Sequence, residues 1–220
     1  MKSPTALTPR LEAAASLVGD GSFADIGSDH AYLAIKLALE RGVCGIASDL
    51  REGPCERARK NVRQYGLCDK IKIYCRSGLD RVEVIAEILE NSEYPRSSRC
   101  RLILQPMSMQ DELRRYLSRE GYAISDERVV YDSGKYYQLI AAKYTGESSS
   151  LDEVEALLGP LNLKRAAEDL SDVDRGWLTS VSRAARNRVD GRRKSAAGSS
   201  SPEQLFDQSL LERIEAIIQA

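Results

Sequence analysis

Phe23-Ala24-Asp25-Ile26-Gly27-Ser28-Asp29-His30-Ala31-Tyr32 is the stretch that decides the fold. The apolar run from Ser22 to Ile26 reads as a strand, stopped by Gly27, and Tyr32 to Glu40 follows with helical spacing. A strand, tight turn and helix in this order bring backbone N–H groups and a helix N-terminus toward a ligand. Gly27 allows both the turn and a close approach. Asp25, at the strand end, suits a hydrogen bond from an ammonium group or the ordering of the loop, and Ser28 and His30 line the same turn. The three-glycine dinucleotide fingerprint is absent: Ser28, Asp29 and Ala31 stand where such a site needs bare backbone. Asp29 would repel a pyrophosphate. S-adenosylmethionine (SAM) has no phosphate and carries a sulfonium and an amino group, so the turn favours SAM, with a nicotinamide dinucleotide as the alternative.

Outward from this turn, strand-like and helix-like stretches alternate. Thr8-Pro9 opens a helix through Val18. Val43 to Ala47 is the next strand, with Asp49 just past its end; a carboxylate there is placed to hold both ribose hydroxyls, or else to cap the following segment. Pro54 to Gln64 reads as a helix, and Ile71, Ile73 and Cys75 alternate as an edge strand. Arg101 to Leu104 is a strand stopped by Gln105-Pro106. Met109 to Ser118 is helical, and Tyr122 to Ile124 with Val129 to Tyr131, then Tyr136 to Ala142, form an antiparallel pair. Repeated βα units of this size call for a Rossmann-like α/β sheet with helices on both faces. Gln105 lies at a C-terminal strand end, where it either reads a base or simply begins a loop. Asp29 either faces the reacting group or caps the next helix. His30 is a structural hydrogen-bonding residue or a base, and Tyr32 stacks on an adenine or closes the pocket.

The pattern changes after Tyr144. Gly146 to Ser150 is a linker, Ser150-x-x-Glu153 a capping box, and Gly191 to Ser201 a mobile loop. Ser201-Pro202 starts a last helix whose stripe of Leu210, Leu211, Ile214, Ile217 and Ile218 must dock on a neighbouring helix or on a partner subunit. Two domains follow: residues 1–145, α/β, and residues 146–220, helical.

The 220 residues carry a formal net charge of -1, which excludes a global attraction to nucleic acid. A local basic run remains: Arg183, Arg186, Arg188, Arg192, Arg193 and Lys194 against only Asp190, suited to RNA phosphates or to a solvated face. Five cysteines without a C-x-x-C pair and a single histidine argue against a disulfide framework and a metal centre. No long apolar run occurs, so the expectation is a cytoplasmic protein off the membrane.

Taken together, Asp25-Ile26-Gly27-Ser28-Asp29-His30-Ala31-Tyr32-Leu33, Gly53-Pro54, Asn61-Val62, Tyr65-Gly66-Leu67, Leu102-Ile103-Leu104-Gln105-Pro106 and Leu113-Arg114 resemble the bacterial tRNA (adenine-22, N1)-methyltransferases over about residues 10 to 144. The resemblance implies a class I SAM-dependent methyltransferase fold, SAM as methyl donor, tRNA as partner, and a helical extension that helps grip it. It carries Asp25, Gly27 and Asp49 over as cofactor residues and Asp29 as the acid/base group beside the adenine; Ser28, His30 and Gly78 are expected beside them at the cofactor. Tyr32 and Gln105 would shape the base pocket, with Arg183, Arg186, Arg192 and Arg193 on the tRNA. One departure is large. After Ser77-Gly78-Leu79 the family continues into a fourth strand ending in an Ala-Gly-Met-Gly-Gly block, and this chain passes directly to Val84-Ile85-Ala86-Glu87-Ile88-Leu89, which resembles the helix beyond it. The expected sheet therefore lacks its fourth-strand region. A catalytically impaired SAM- or tRNA-binding homologue, or a methyltransferase for another substrate, stands as the alternative, and the chain is expected as a monomer or weak homodimer.

Overall fold

The computed structural model describes residues 6–49, 51–75, 94–96, 100–194 and 201–219. Gly78, the Val84 to Leu89 segment and the junction after Leu79 lie outside the described residues, as do the side chains of Arg193 and Lys194.

The first half of the chain forms a parallel sheet. Strands β1 (Phe23–Ile26), β2 (Gly45–Asp49) and β3 (Ile71–Cys75) pair in the order β1-β2-β3. Helix α2 (Tyr32–Arg41) joins β1 to β2, and α3 (Glu52–Gln64) joins β2 to β3. Each presents small or branched residues inward: Ala34, Ile35 and Ala38 of α2 meet Ala47 of β2, Ala58 and Val62 of α3 and Ile71 of β3 in one core. Small residues let the two helices lie close to the sheet, and this burial supplies most of the local stability.

The second half forms an antiparallel sheet in the order β4-β6-β5, from β4 (Leu102–Leu104), β5 (Tyr122–Asp132) and β6 (Lys135–Tyr144). Helix α4 (Gln110–Arg119) seats Leu113 and Leu117 on Tyr122, Ile140 and Ala142. Two stretches read as separate strands, Tyr122 to Ile124 and Val129 to Tyr131, are one strand. A bulge between Ile124 and Asp126 absorbs the polar Ser125, so the ladder continues through it. Among the described residues no strand joins β1 to β4. The six described strands thus stand as two half-sheets of a Rossmann-like fold, and the junction where the fourth-strand region is expected lies outside the described residues.

Helix α1 (Pro9–Leu17), capped by Thr8, links the halves. Ala13, Ala14 and Leu17 pack on Leu139 and Ala141 of β6 with Ile103 and Val130. On its other side, Glu12 pairs with Lys36 at 3.1 Å, and the Arg41 guanidinium donates to the carbonyls of Ala15 (2.8 Å) and Val18 (2.5 Å). Because Glu12 meets the middle of α2 and Ala15 and Val18 meet its end, α1 and α2 run in the same direction. The start of α1 therefore stands on the side where β1 ends. There Arg10 Nη1 donates to Gln105 Oε1 at 3.0 Å, just past the end of β4. The C-terminal ends of β1, β2 and β4 share one edge of the molecule.

The C-terminal region is a helical bundle: α5 (Glu153–Leu158), α6 (Pro160–Glu168), α7 (Asp172–Lys194) and α8 (Pro202–Gln219). Leu210 and Ile214 of α8 dock on Trp177, Leu178 and Ala185 of α7, so the amphipathic last helix finds its partner within the chain. The capping box sits two residues later than the sequence pattern places it, with Asp152 and Glu155 exchanging hydrogen bonds with each other's backbone. Helix α7 continues through Gly191 to Lys194, where a loop is expected. Asp207 explains this: it draws Arg188 and Arg192 along the last turns of α7.

A buried ion pair fastens the bundle to the second sheet. Arg114 and Glu127 are both fully buried, 2.6 Å apart. Arg114 also donates to the carbonyls of Ala156 and Leu157 at the end of α5 and to Gln138 Oε1, while Glu127 accepts from the Leu161 and Asn162 backbone at the start of α6. A cation thus meets a helix C-terminus and an anion a helix N-terminus, as the helix dipoles favour.

Candidate cofactor-binding site

Ile26 of β1 lies opposite Ser48 of β2 in register, so the turn at Gly27 and the carboxylate of Asp49 sit side by side at the ends of neighbouring parallel strands. Gly27 has φ +80°, which L side chains rarely adopt, and an added Cβ would meet nothing within 4 Å. Glycine is therefore required here by backbone conformation, while the space above the turn is open. The backbone N–H groups of Gly27 and Ser28 do not face that space. Both donate to the Ser48 carbonyl, at 2.9 and 2.8 Å. This corrects the expectation that they reach a ligand: they staple β1 to β2 and fix the turn's height.

Asp25 organises the loop, accepting from Ser28 Oγ at 2.6 Å. Burial pushes its carboxyl above the ordinary range, and the Ser28 hydrogen bond opposes this only in part. Asp49 is the last residue of β2 rather than the first residue after it. Its side chain is buried, with Oδ1 accepting from the Arg51 backbone at 2.9 Å and facing Arg51 Nε at 3.4 Å. It orders the following turn, and its position at the strand end faces the same edge as Gly27.

Two thiols neighbour Asp49. Cys55 Sγ donates to the Asp49 carbonyl at 3.5 Å, and Cys75 lies opposite Asp49 in the β2–β3 register. Hydrogen bonds with Cys55 and Glu52 push the Cys75 thiol up to about 12, so it is protonated and unreactive at neutral pH.

Asp29, His30 and Tyr32 lie on the loop before α2. Asp29 does not cap that helix; the N-cap is Ala31, in the left-handed region at φ 58°. Its carboxylate is instead held by Arg57 Nη2 at 2.9 Å on Oδ1 and by His30 Nε2 at 3.2 Å on Oδ2. His30 stacks on Tyr32, ring centroids 5.4 Å apart, and its carbonyl accepts from Asn61 Nδ2 at 3.0 Å. The contacts of Arg57 and Asn61 with this loop are not given by the sequence reading, although Asn61 stands in one of the blocks that carry the resemblance. Both lie on the α3 face turned toward the loop, a proximity only the α2–α3 packing creates. Gln105 stands across the edge, its amide oxygen on Arg10 and its nitrogen 3.2 Å from Met107 Sδ. Arginine can only donate, so the Gln105 oxygen is committed to Arg10 and its NH2 group is the end presented outward.

The basic run is differently placed. Arg186 pairs with Glu215 at 2.5 Å, and Arg188 and Arg192 both pair with the buried Asp207. These cations pair across the α7–α8 hairpin, with Arg186 and Glu215 both exposed. Arg183 is exposed on α7, and Arg193 lies outside the described side chains. Arg188 and Arg192 line a cleft of about 870 Å³ with Leu157, Val181 and Phe206, away from the Gly27–Asp49 edge. Among the described residues no three His, Cys, Asp or Glu side chains gather as a metal site, and no helix is long and apolar enough to cross a membrane.

Comparison with known proteins agrees with this geometry. A family described as a methyltransferase domain matches residues 7–140. The tRNA (adenine(22)-N(1))-methyltransferase of Bacillus subtilis (strain 168) is 31% identical over 172 residues, covering 70% of this chain and 72% of that protein. The crystal structure of the B. subtilis m1A22 tRNA methyltransferase superposes with a TM-score of 0.75 at 26% identity, covering 97% of this chain and 99% of the other. A Streptococcus pneumoniae protein crystallised with S-adenosyl-L-methionine gives 0.76 at 27% identity, covering 97% and 100%. The turn, the strand-end carboxylate and these matches agree that the chain belongs to the methyltransferase domain family, as a relative of the tRNA (adenine-22, N1)-methyltransferases.

Proposed function

We propose that this chain is a cytoplasmic SAM-dependent tRNA methyltransferase that modifies N1 of adenine 22, working as a monomer or weak homodimer. The observation that carries the reading is the juxtaposition of the Gly27 turn with the buried Asp49 carboxylate at one sheet edge. The residues present suit the cofactor: Asp49 would hold the ribose hydroxyls, and the open space above Gly27 leaves room for the rest. SAM, when bound, supplies an electrophilic methyl group. Adenine N1 already carries a lone pair, so the chain's task is to position it and exclude water. Tyr32 and Gln105 would frame the base. Once methylated, the base is cationic. In this reading Asp29 accepts the developing positive charge or a proton from the exocyclic amine, with His30 on its Oδ2 as the partner able to pass that proton on.

The test is methyl transfer from SAM to unmodified tRNA, with the product nucleoside identified by mass spectrometry. The reading expects 1-methyladenosine at position 22 and a loss of about 100-fold in turnover for Asp29→Asn, the scale of a lost general base. Near-normal turnover of that variant removes Asp29 from the mechanism. A second reading has its own support. The half-sheets are not joined by a described strand between β1 and β4, the place where a central strand of such a sheet would carry part of the site. A binding-only homologue would take up SAM or tRNA and yield no methylated product.

A further inference from the structure

The ladder between β4 and β6 ends at Leu104 opposite Ile140, yet β5 and β6 stay paired as far as Asp132 opposite Lys135. Five further β6 positions, Leu139 to Lys135, therefore run beyond the end of β4, a reach of about 17 Å at strand rise. They extend past the edge that carries Gly27, Asp49 and Gln105. Near the tip, Tyr131 and Tyr136 are directly opposed, ring centroids 4.9 Å apart and inclined by 51°. The inner ring is anchored: Tyr136 packs so closely on α7 that a Cβ at Gly176 would lie 3.3 Å from its ring carbon and run into its hydroxyl. The outer ring, Tyr131, remains 49% exposed. Cross-strand aromatic pairing stabilises a hairpin, but that role alone asks for neither the overhang nor the exposure.

We propose that the Tyr131–Tyr136 pair is a stacking platform for an unpaired nucleobase of the RNA substrate, next to the base taken into the site. The proposal rests on the tRNA reading above and supplies it with a contact surface, since Arg186, Arg188 and Arg192 of α7 pair with Glu215 and Asp207. An aromatic face suits this partner because every base presents a π-surface and stacking needs no added cation. The anchored Tyr136 fixes the orientation of the pair, so that little freedom is lost when a base settles on Tyr131.

Fluorescence anisotropy with labelled unmodified tRNA, alongside calorimetry with SAM, tests this on the full chain. Tyr131→Ala should weaken tRNA binding about tenfold, the effect of losing one stacked base, and leave SAM affinity unchanged. Tyr131→Thr keeps a strand-favouring residue and should show the same loss, which separates stacking from hairpin stability. Tyr131→Trp should retain wild-type affinity. The slope of affinity against salt should be equal in all four proteins, because no phosphate contact is removed. Binding by the Ala and Thr variants within about twofold of wild type overturns the platform. Wild-type protein that binds SAM but not tRNA overturns the tRNA reading itself, and the platform's occupant with it.

Discussion

Gly27 and Asp25 show what single residues contribute to this site. Gly27 holds φ +80° with open space on its Cβ side, so Gly27→Ala costs conformational strain alone. A left-handed alanine costs about 1–2 kcal/mol, which at this chain length lowers Tm by roughly 2–8 °C in a thermal scan. Asp25 gives a pH dependence. Its folded-state pKa is raised, chiefly by burial, so its contribution to stability is present at low pH and is lost as pH rises through that raised value. Asp25→Asn, which keeps an oxygen for Ser28, should therefore raise Tm at neutral pH, and the gain should shrink as pH falls toward the ordinary carboxylate range. A gain that is constant with pH would show that the carboxyl carries no such shift. The Gly27 turn and Asp25 were legible in the chain because a strand ending in Asp-x-Gly before a helix is a local pattern. The Asp29–Arg57 contact was not, because 28 positions separate its partners and the helix packing alone brings them together.

Among the elements, the joint between the second sheet and the helical bundle makes the firmest prediction. Arg114 and Glu127 satisfy each other along with the end of α5 and the start of α6. Arg114→Met leaves Glu127 charged, buried and without its cation, a loss of about 3–5 kcal/mol in denaturant unfolding. Gly159, between the two helices at φ +92°, has no room for a side chain: a Cβ would stand 2.5 Å from Glu127 Oε2 and 2.7 Å from Arg114 Nη2. At the α7–α8 hairpin, burial pushes the Asp207 carboxyl up, but Arg188 and Arg192 outweigh it and hold the group below its usual range. Its stabilisation is then present above the unfolded carboxylate pKa and is lost as pH falls through the lower folded value. Acid titration should loosen this hairpin in wild type and not in Asp207→Asn, which lacks the charge from the outset; amide exchange along α8 reads the difference. Helix existence followed from apolar spacing, and the α8 stripe from Leu210 to Ile218 was visible in the chain. The helical course of Gly191 to Lys194 was not, because the glycine and the charges suggest a loop until Asp207, from another helix, is in place.

At the scale of the whole molecule, the described strands form two half-sheets. β2 is paired on both sides, whereas β1 is paired with β2 alone among the described residues, and its Ile26 is 47% exposed. Native-state hydrogen exchange should protect the amides of β2 more strongly than those of β1, the reverse of a continuous sheet in which β1 is central. Equal protection would indicate a partner strand along β1. The helix α1, packed on both halves, keeps the two half-sheets together. The parallel half could be read from two βα units and a third strand in succession, and the antiparallel half from its short connection. The shared edge was expected from the C-terminal strand ends, but the contacts that fix it were not legible, since Glu12, Arg10 and Arg41 reach elements distant in sequence.

Calorimetric titration of the full chain with SAM, for wild type and Asp49→Ala, tests the central claim most directly. The account predicts a saturable heat for wild type and an affinity weakened about tenfold or more in the variant, as expected for a lost charge-assisted hydrogen-bond partner. Wild-type protein that takes up no SAM, or an Asp49→Ala variant that binds it equally well, would contradict a cofactor site at the Gly27–Asp49 edge.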